Sequence, residues 1–462
     1  MSGPTVSAQQ PNILFLLTDD QRWDSLGCYG NSIVHTPNLD ELSRRSVTFD
    51  AAFVTTAICA TNRACILTGQ YASRHGMWDF DRDMTSEQLA HTYAGLLHQN
   101  GYRTGFIGKY GVGNPPGLPV FDFDKGFPGQ GNFFLEVDGQ RRHLTSVMAD
   151  QAEEFIDSCT IEATGKSPFC LSISFKAPHV QDSASVKSDQ FPFDPRPEIA
   201  NLYTGFDIPL APTASNTYFE RLPDFLQNSE SRSRWAVRYW GPARTQESLK
   251  GYYRLISGVD LAIGRILQKL ENTGVAENTI VVFTSDHGQF LGEYGLAGKW
   301  FPYEPSIRVP LIIYDPRLPS ARRGVRSSEI ALSIDLAPTM LAWAGIEAPS
   351  AMQGRSLLPL LSDESIDNWR DDYFYEHHFQ PPAAWNMILP RSEAVRSKKW
   401  KYIQYIDSEP VVEQLFDLES DYLETHDLSS SPSHQAVVVQ MRERIATLRR
   451  EFQSLPDENS SR

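Results

Sequence analysis

The chain has 462 residues, of which 41% are hydrophobic and 11% aromatic, so it can bury the core of one large domain and of a smaller one. Its formal charge of −15 argues against nucleic-acid binding and against an anionic membrane surface, and we expect neither partner. The five cysteines show no framework-like spacing, which excludes a disulfide-rich scaffold.

Neither a membrane segment nor a leader is visible in the sequence. No apolar run reaches the length that spans a membrane, and residues 1–11 are small and polar, without an apolar signal core. We expect a periplasmic or secreted protein if a signal peptide has been removed, and a cytoplasmic one otherwise.

Short apolar runs that end in polar residues recur along the chain. Strands of a parallel sheet have this pattern, because helices cover both faces of such a sheet. The predicted strands are residues 12–18, 102–107, 169–175, 279–283 and 310–314. Helical periodicity occurs at residues 89–100 and 252–272. This alternation predicts an α/β sheet, in which ligands bind beyond the carboxyl ends of the strands.

The second half of the chain has a different composition. Residues 181–244 are rich in Pro, Ser and aromatic residues, which predicts a long surface excursion beside a cleft. Residues 394–396 and 400–405 predict strands of a small antiparallel sheet, and residues 435–452 predict a closing helix.

The composition changes near Ser362. We therefore divide the chain into an N-terminal α/β domain, residues 1–362, and a C-terminal α+β subdomain, residues 363–462.

Pairs of possible metal ligands, each with at least one aspartate, follow two of the predicted strands. Asp19 and Asp20 come after the first, and Asp286 precedes His287 after the fourth. Carboxylates are hard oxygen ligands that suit Ca²⁺ or Mg²⁺, although the residue types alone do not exclude another divalent ion. A polar turn after a strand is the alternative for either pair taken alone. Two such pairs at predicted strand ends favour one shared ion.

Cys59 and Arg63 lie one helical turn apart in a segment that continues to Gly69. A helix beginning here would present free N–H groups to an anion, and the guanidinium of Arg63 could hold a nucleophile and an anionic oxygen. The alternative is a buried structural cysteine beside a surface arginine.

Taken together, these segments resemble the type I, formylglycine-dependent sulfatases, and among them the bacterial carbohydrate sulfatases. The matching segments are residues 12–20, 59–69, 108–109, 177–179, 285–288, 299, 333–339 and 415–418. The resemblance implies an alkaline-phosphatase-like fold. In that fold a large mixed, mostly parallel sheet lies between helices, with a small C-terminal antiparallel sheet plus a helix.

The resemblance also implies the reaction, which is hydrolysis of sulfate esters of a sulfated carbohydrate. A formylglycine-generating enzyme would oxidise Cys59 to formylglycine, which supplies the nucleophile. One Ca²⁺ per chain would be bound by the side chains of Asp19, Asp20, Cys59, Asp286 and His287. Residues with catalytic roles would be Cys59, Arg63, Lys109, His179 and Lys299. His179 is the better candidate for general acid because histidine titrates near neutral pH, and Lys299 is the other.

The sequence departs from the family pattern at two positions. Thr61 replaces a proline two residues after the cysteine, and Gly111 replaces a histidine that follows Lys109. His75 is a candidate substitute for that histidine. A phosphonate or phosphate ester hydrolase of the same superfamily, which would use the same layout of metal and nucleophile, is one alternative. A non-catalytic sulfated-glycan binder is the other, if Cys59 is unmodified. The sugar and the sulfate position stay open as well.

Overall fold

A computed structural model describes residues 10–113, 117–161, 167–181, 193, 196–362 and 368–453. The strands in these residues are β1 Asn12–Thr18, β2 Val47–Phe49, β3 Ala52–Phe53, β4 Arg103–Lys109, β5 Phe123–Phe127, β6 Phe134–Val137, β7 Gln140–His143, β8 Phe169–Ser174, β9 Thr279–Ser285, β10 Phe290–Leu291, β11 Ala297–Gly298, β12 Leu311–Tyr314, β13 Val325–Ser327, β14 Ala331–Leu332, β15 Asp372–His377, β16 Ser392–Ser397, β17 Trp400–Tyr405 and β18 Val412–Asp417. The α-helices are α1 Pro37–Arg44, α2 Cys59–Thr68, α3 Ala72–His75, α4 Ser86–Ala90, α5 Tyr93–Gln99, α6 Leu144–Ile161, α7 Asn216–Phe219, α8 Asp224–Gln227, α9 Glu230–Arg238, α10 Pro242–Asn272, α11 Glu304–Ile307, α12 Leu336–Trp343, α13 Leu358–Ser362 and α14 Gln435–Gln453.

The main sheet has eight strands in the order β13-β2-β12-β9-β1-β8-β4-β5. β12 is antiparallel to both of its neighbours, and the other pairs are parallel. The sheet is therefore mixed and mostly parallel, as predicted. The five predicted strands are all present, and only β12 runs opposite to the expected direction.

Helices cover both faces of this sheet. Every residue of β1 is buried, and its side chains alternate between two hydrophobic clusters. Ile13, Phe15 and Leu17 pack with residues of α2, α5 and α12. Leu14 and Leu16 pack on the other face with residues of α1, α6 and α10. The predicted α/β architecture is confirmed.

Helix boundaries differ from the predicted ones. The helix expected at residues 89–100 is broken into α4 and α5, because Thr92 is extended and its Oγ1 accepts a hydrogen bond from Gly95 N at 3.1 Å. The helix expected at residues 252–272 begins ten residues earlier, with Pro242 in its first turn. The segment expected to be irregular contains α7, α8 and α9 in its described part. Residues 182–192 and 194–195 of that segment lie outside the described residues.

The C-terminal part forms an antiparallel sheet in the order β15-β16-β17-β18, with α14 packed against β15 and β16. The predicted strands and the closing helix are confirmed, and β15 and β18 were not predicted. The proposed boundary between residues 362 and 363 meets residues 363–367, which lie outside the described residues, so the division stays a prediction. None of the helices in the described ranges is both long and apolar enough to cross a membrane.

Candidate active site

The two predicted pairs of ligands, Asp19 with Asp20 and Asp286 with His287, meet at the carboxyl edge of the main sheet. β1 and β9 are parallel neighbours, with Thr18 opposite Ser285, so the residues that follow them leave the sheet side by side. Asp20 has a positive φ of 65°, and its backbone N donates to Asp286 Oδ1 at 3.2 Å. Asp19, Asp20, Asp286 and His287 are all buried. The structure thus brings the predicted pairs together.

Cys59 is the first residue of α2 and points into this acidic group. Its Sγ lies 2.9 Å from Lys299 Nζ, 3.3 Å from His287 Nε2 and 3.5 Å from Asp19 Oδ1. The thiol is 1% exposed. The helix begins without a side-chain cap, so its first N–H groups are available to an anion at this point.

Arg63 returns to the site one turn after Cys59. Its Nε lies 2.9 Å from Asp286 Oδ2, its Nη2 lies 3.2 Å from Asp19 Oδ2, and its Nη1 donates to Lys109 O at 2.7 Å. The guanidinium therefore joins carboxylates of both pairs of ligands. Its predicted role, to hold the nucleophile and an anionic oxygen, stays a prediction.

Two lysines and a histidine complete the cluster. Lys109 Nζ bonds to Asp19 and donates to Gln130 Oε1 at 2.8 Å, while Lys299 Nζ donates to Asp20 Oδ1 at 2.7 Å. His179 Nε2 lies 3.7 Å from Asp20 Oδ2. Every predicted site residue thus lies in one contiguous buried group.

Burial and charge compete at the carboxylates. Burial raises the pKa of Asp19, but the Lys109 ammonium, with His179 and Arg63, holds that pKa well below its ordinary value. Burial also opposes ionisation of Asp20, yet Lys299 lowers its pKa to about 2. At Asp286 burial and the neighbouring Asp19 outweigh the cations His287 and Arg63, and they raise the pKa to about 6.

Charge also acts on the thiol and on His287. Burial and Asp19 raise the pKa of Cys59, but Lys109, Lys299 and His287 together bring it well below its ordinary value. Burial lowers the pKa of His287, and the Asp286 carboxylate overcomes this effect and raises it to about 9. The cluster therefore keeps both carboxylates and cationic groups charged although they are buried.

The donor atoms fit a divalent cation. Asp19, Cys59, Asp286 and His287 each offer one ligand atom, and these atoms lie within 4.8 Å of one another. Asp19 and Cys59 also form such a group with Asp20 and His179. Each group combines two carboxylate oxygens, which suit a hard ion such as Ca²⁺ or Mg²⁺, with one sulfur and one imidazole nitrogen.

Several residues that hold this site were not predicted. Asn62 Nδ2 bonds to Asp286 O, and Asn62 Oδ1 accepts from Ser333 Oγ at 2.7 Å. Both lie inside segments that carried the family resemblance, so a signal for them was present. Gln130, which contacts Lys109, lies in a loop without periodicity and gave no signal.

The structure accounts for Gly111. Its φ is +76°, and a Cβ there would lie 2.7 Å from Arg63 Cδ, so a side chain does not fit this arrangement. His75 has other partners: Nε2 lies 3.3 Å from Cys65 Sγ, and Nδ1 accepts from Met77 N at 3.0 Å. Both ring nitrogens are engaged, and we do not assign His75 to Cys59.

A buried cysteine at a helix start lies with three carboxylates and several cations at the carboxyl edge of a mixed sheet, in a group that could hold a metal ion. This fold and arrangement define an ester hydrolase of the alkaline-phosphatase-like class. The chain belongs to the sulfatase family, whose sequence model matches residues 11–346. A model described as "N-sulphoglucosamine sulphohydrolase, C-terminal" matches residues 292–451. The protein is therefore a sulfuric ester hydrolase, as the motifs predicted.

Relatives with similar sequences include two enzymes whose names give a sulfated glucosamine derivative as the substrate. An N-acetylglucosamine-6-O-sulfatase of Bacteroides thetaiotaomicron is 30% identical over 91% of this chain and 83% of its own length. The human N-sulphoglucosamine sulphohydrolase is 28% identical over 82% of this chain and 71% of its own length.

Solved structures give the same fold. One, a complex with its substrate D-glucosamine-2-N,6-O-disulfate, has a TM-score of 0.79 at 25% identity and covers 98% of this chain and 100% of that chain. The phosphonate monoester hydrolase of Agrobacterium radiobacter has a TM-score of 0.76 at 21% identity, with 96% of each chain covered. The second likeness concerns the fold alone.

Proposed function

We propose that the protein is a formylglycine-dependent sulfatase that removes sulfate from a sulfated glucosamine unit of a carbohydrate. Two relatives are named as enzymes that act on sulfated glucosamine derivatives, and one similar protein was solved in complex with such a substrate. All three match most of this chain. The observation that carries the proposal is the position of Cys59 Sγ, at the start of a helix and within 3.5 Å of Lys299, His287 and Asp19.

In this proposal formylglycine at position 59 would supply the nucleophile as a hydrated aldehyde. A Ca²⁺ held by Asp19, Asp20, Asp286, His287 and residue 59 would supply positive charge for the sulfate oxygens. Lys299 adds an ammonium group at residue 59 and Lys109 adds another at Asp19, and both would neutralise the charge that develops on sulfate. Arg63 keeps the carboxylates of Asp19 and Asp286 in place.

His179 is the proposed general acid for the departing sugar oxygen. Its Nδ1 lies 2.7 Å from Val180 O, which fixes the ring, and its Nε2 faces Asp20. An Nδ1–H that donates to Val180 O leaves Nε2 to carry the exchangeable proton. Lys299 is the second candidate, since its ammonium contacts the other oxygen of the same carboxylate.

Maturation requires a formylglycine-generating enzyme as a partner, which would read the segment that begins at Cys59. Thr61 stands where the family has proline, at the third residue of α2. The first-turn N–H groups of a helix have no partner within it, so either residue is compatible with this helix. Thr61 Oγ1 is buried without a hydrogen-bond partner in the described part of the chain. We also propose a periplasmic or secreted location, because a Drosophila melanogaster relative that is 31% identical over 80% of this chain, and 33% of its own length, is named an extracellular sulfatase.

The test is co-expression with a formylglycine-generating enzyme, followed by mass spectrometry of the peptide containing residue 59 and sulfate-release assays. We expect the aldehyde at position 59 and turnover of N-acetylglucosamine 6-sulfate or N-sulfoglucosamine, in the presence of Ca²⁺. Galactose 6-sulfate serves as the sugar control. An unmodified thiol after co-expression, with binding but no turnover, would contradict the proposal and indicate a glycan-binding protein.

A phosphonate or phosphate ester hydrolase is the competing function, since such an enzyme shares the fold. Assaying an aryl sulfate beside a phenylphosphonate ester and a phosphate diester separates the two. A kcat/KM that is higher for the phosphorus esters than for every sulfate ester would favour the competing function.

A further inference from the structure

A buried tyrosine of the C-terminal sheet joins the two segments that carry Cys59 and Lys299. Tyr375 lies in β15 and is fully buried. Its hydroxyl accepts a hydrogen bond from Ala57 N at 3.2 Å and donates one to Trp300 O at 2.5 Å. Ala57 precedes Cys59 by two residues, and Trp300 directly follows Lys299.

The same two segments also bond to each other. Trp300 N donates to Ala57 O at 3.2 Å. The N–H and the C=O of both Ala57 and Trp300 thus take part in one closed ring of three hydrogen bonds. Among the described residues, the hydroxyl of Tyr375 is the only side-chain group in this ring. A ring of this kind fixes the spacing of the segments more tightly than a single bond does.

Trp300 depends on this ring because its backbone is strained. Its φ is +83°, a left-handed conformation that bulky residues adopt only when their surroundings hold it. Its side chain is 4% exposed and packs against Arg234, whose guanidinium carbon lies 4.8 Å from the ring centroid. Relaxation of Trp300 would turn the adjoining peptide and move Lys299, whose Nζ lies 2.9 Å from Cys59 Sγ.

We propose that Tyr375 is a positioning residue for sulfate ester hydrolysis, which holds Lys299 and the nucleophile at position 59 at their working separation. This inference rests on the proposed function, since it requires both groups to act on the ester. Tyr375 acts through the backbone of Ala57 and Trp300. The C-terminal sheet thereby contributes to the chemistry of a site whose proposed reacting groups all lie between residues 19 and 299.

Tyr373 provides a matched control in the same strand. It lies two residues before Tyr375, is 1% exposed, and its hydroxyl has no hydrogen-bond partner in the described part of the chain. Tyr373→Phe and Tyr375→Phe therefore remove the same atom from equally buried rings of one strand. Only the second variant breaks the ring of hydrogen bonds.

The experiment measures kcat and KM of the co-expressed, Ca²⁺-loaded variants on N-acetylglucosamine 6-sulfate, with rates divided by the fraction of formylglycine found by mass spectrometry. We expect Tyr375→Phe to lower kcat about 10- to 100-fold with KM changed less than about twofold, and Tyr373→Phe to leave both within about twofold. In the background of Lys299→Gln, Tyr375→Phe should cost less than about threefold, because the group it positions is already gone.

The possible results separate this inference from the proposed function. Equal kcat values for the two tyrosine variants would overturn the inference alone, and so would an undiminished loss in the Lys299→Gln background, which would indicate a general structural defect. A wild-type protein with formylglycine at position 59 that releases no sulfate from the sugar panel would overturn the proposed function, and this inference with it.

Discussion

Lys299 Nζ lies 2.9 Å from Cys59 Sγ, although 240 positions separate the two residues in the chain. The same ammonium lies 2.7 Å from Asp20 Oδ1, so it joins the nucleophile position to the acidic group. Burial lowers the pKa of Lys299, but Asp20 and Cys59 raise it above its ordinary value. A cation kept charged beside the nucleophile is suited to neutralise an anionic ester at its point of attack.

Replacing the proposed nucleophile should abolish turnover. Cys59→Ala removes the atom from which formylglycine is made, so we expect kcat to fall by at least about 10³-fold while the protein stays folded. Cys65→Ala is the control, because this buried thiol lies in the same helix and contacts His75 instead of the acidic group. Sulfate release by Cys59→Ala at the rate of the control would refute the assigned role.

Calcium should stabilise the protein through the acidic group. A ligand at about 100 times its Kd adds about 2.7 kcal/mol, which corresponds to a rise in Tm of a few degrees for a chain of this size. Chelation by EDTA should reverse the rise and remove activity. Asp286→Asn should weaken the Tm response to Ca²⁺, since it removes a charged ligand atom from the group. An equal response in both proteins would place the ion elsewhere.

The sequence predicted the parts of the site that follow from strand ends. A parallel strand that is buried on both faces is a continuous apolar run, and the polar residue after it marks the carboxyl edge, as at Asp19 and Asp286. Cys59 and Arg63 were found because their spacing, in the segment that continues to Gly69, resembles the sulfatase signature. These features are local, so a pattern in the chain is enough to predict them.

The remainder depends on contacts between distant segments. Tyr375 gave no signal, because a tyrosine in an antiparallel strand is ordinary until its partners Ala57 and Trp300 are known. The contacts of Arg63 with the carboxylates of Asp19 and Asp286 gave no signal either, since packing decides them. Its predicted role toward residue 59 and an anionic oxygen stays a prediction. The direction of β12 was wrong, because strand direction leaves no trace in an apolar run.

Gly111 should tolerate no side chain. A Cβ at this position would lie 2.7 Å from Arg63 Cδ, and the backbone has φ +76°. Gly30→Ala is the control, because Gly30 has φ +93° and no atom within 4 Å of its added Cβ. We expect each alanine to cost about 1 kcal/mol of stability from the backbone, and only Gly111→Ala to lower activity as well, by displacing Arg63. Equal activity in the two variants would show that Arg63 can shift without consequence.

A buried carboxylate outside the active site should make stability depend on pH. Asp260 accepts hydrogen bonds from Asn38 N and Leu39 N in the first turn of α1, yet burial raises its pKa to about 6. Its pKa is higher in the folded state than in the unfolded state, so the folded protein holds this proton more tightly. This contribution to stability is complete below pH about 4 and is lost as the pH rises through 6, by up to about 3 kcal/mol.

Asp260→Asn has no proton to lose at this position, so its stability relative to the wild type should rise between pH 4 and 7. Asp150→Asn should show the opposite trend at lower pH, with its stability relative to the wild type falling as the pH rises to about 4 and constant above that. Partial burial raises the pKa of Asp150, but hydrogen bonds from Arg142 and Arg265 outweigh it and lower that pKa. That carboxylate stabilises the fold above its ordinary pKa, and the contribution is lost as the pH falls. Urea denaturation midpoints of the three proteins at several pH values measure both trends. Parallel curves for the wild type and Asp260→Asn would mean that Asp260 ionises at its ordinary pKa in the folded protein.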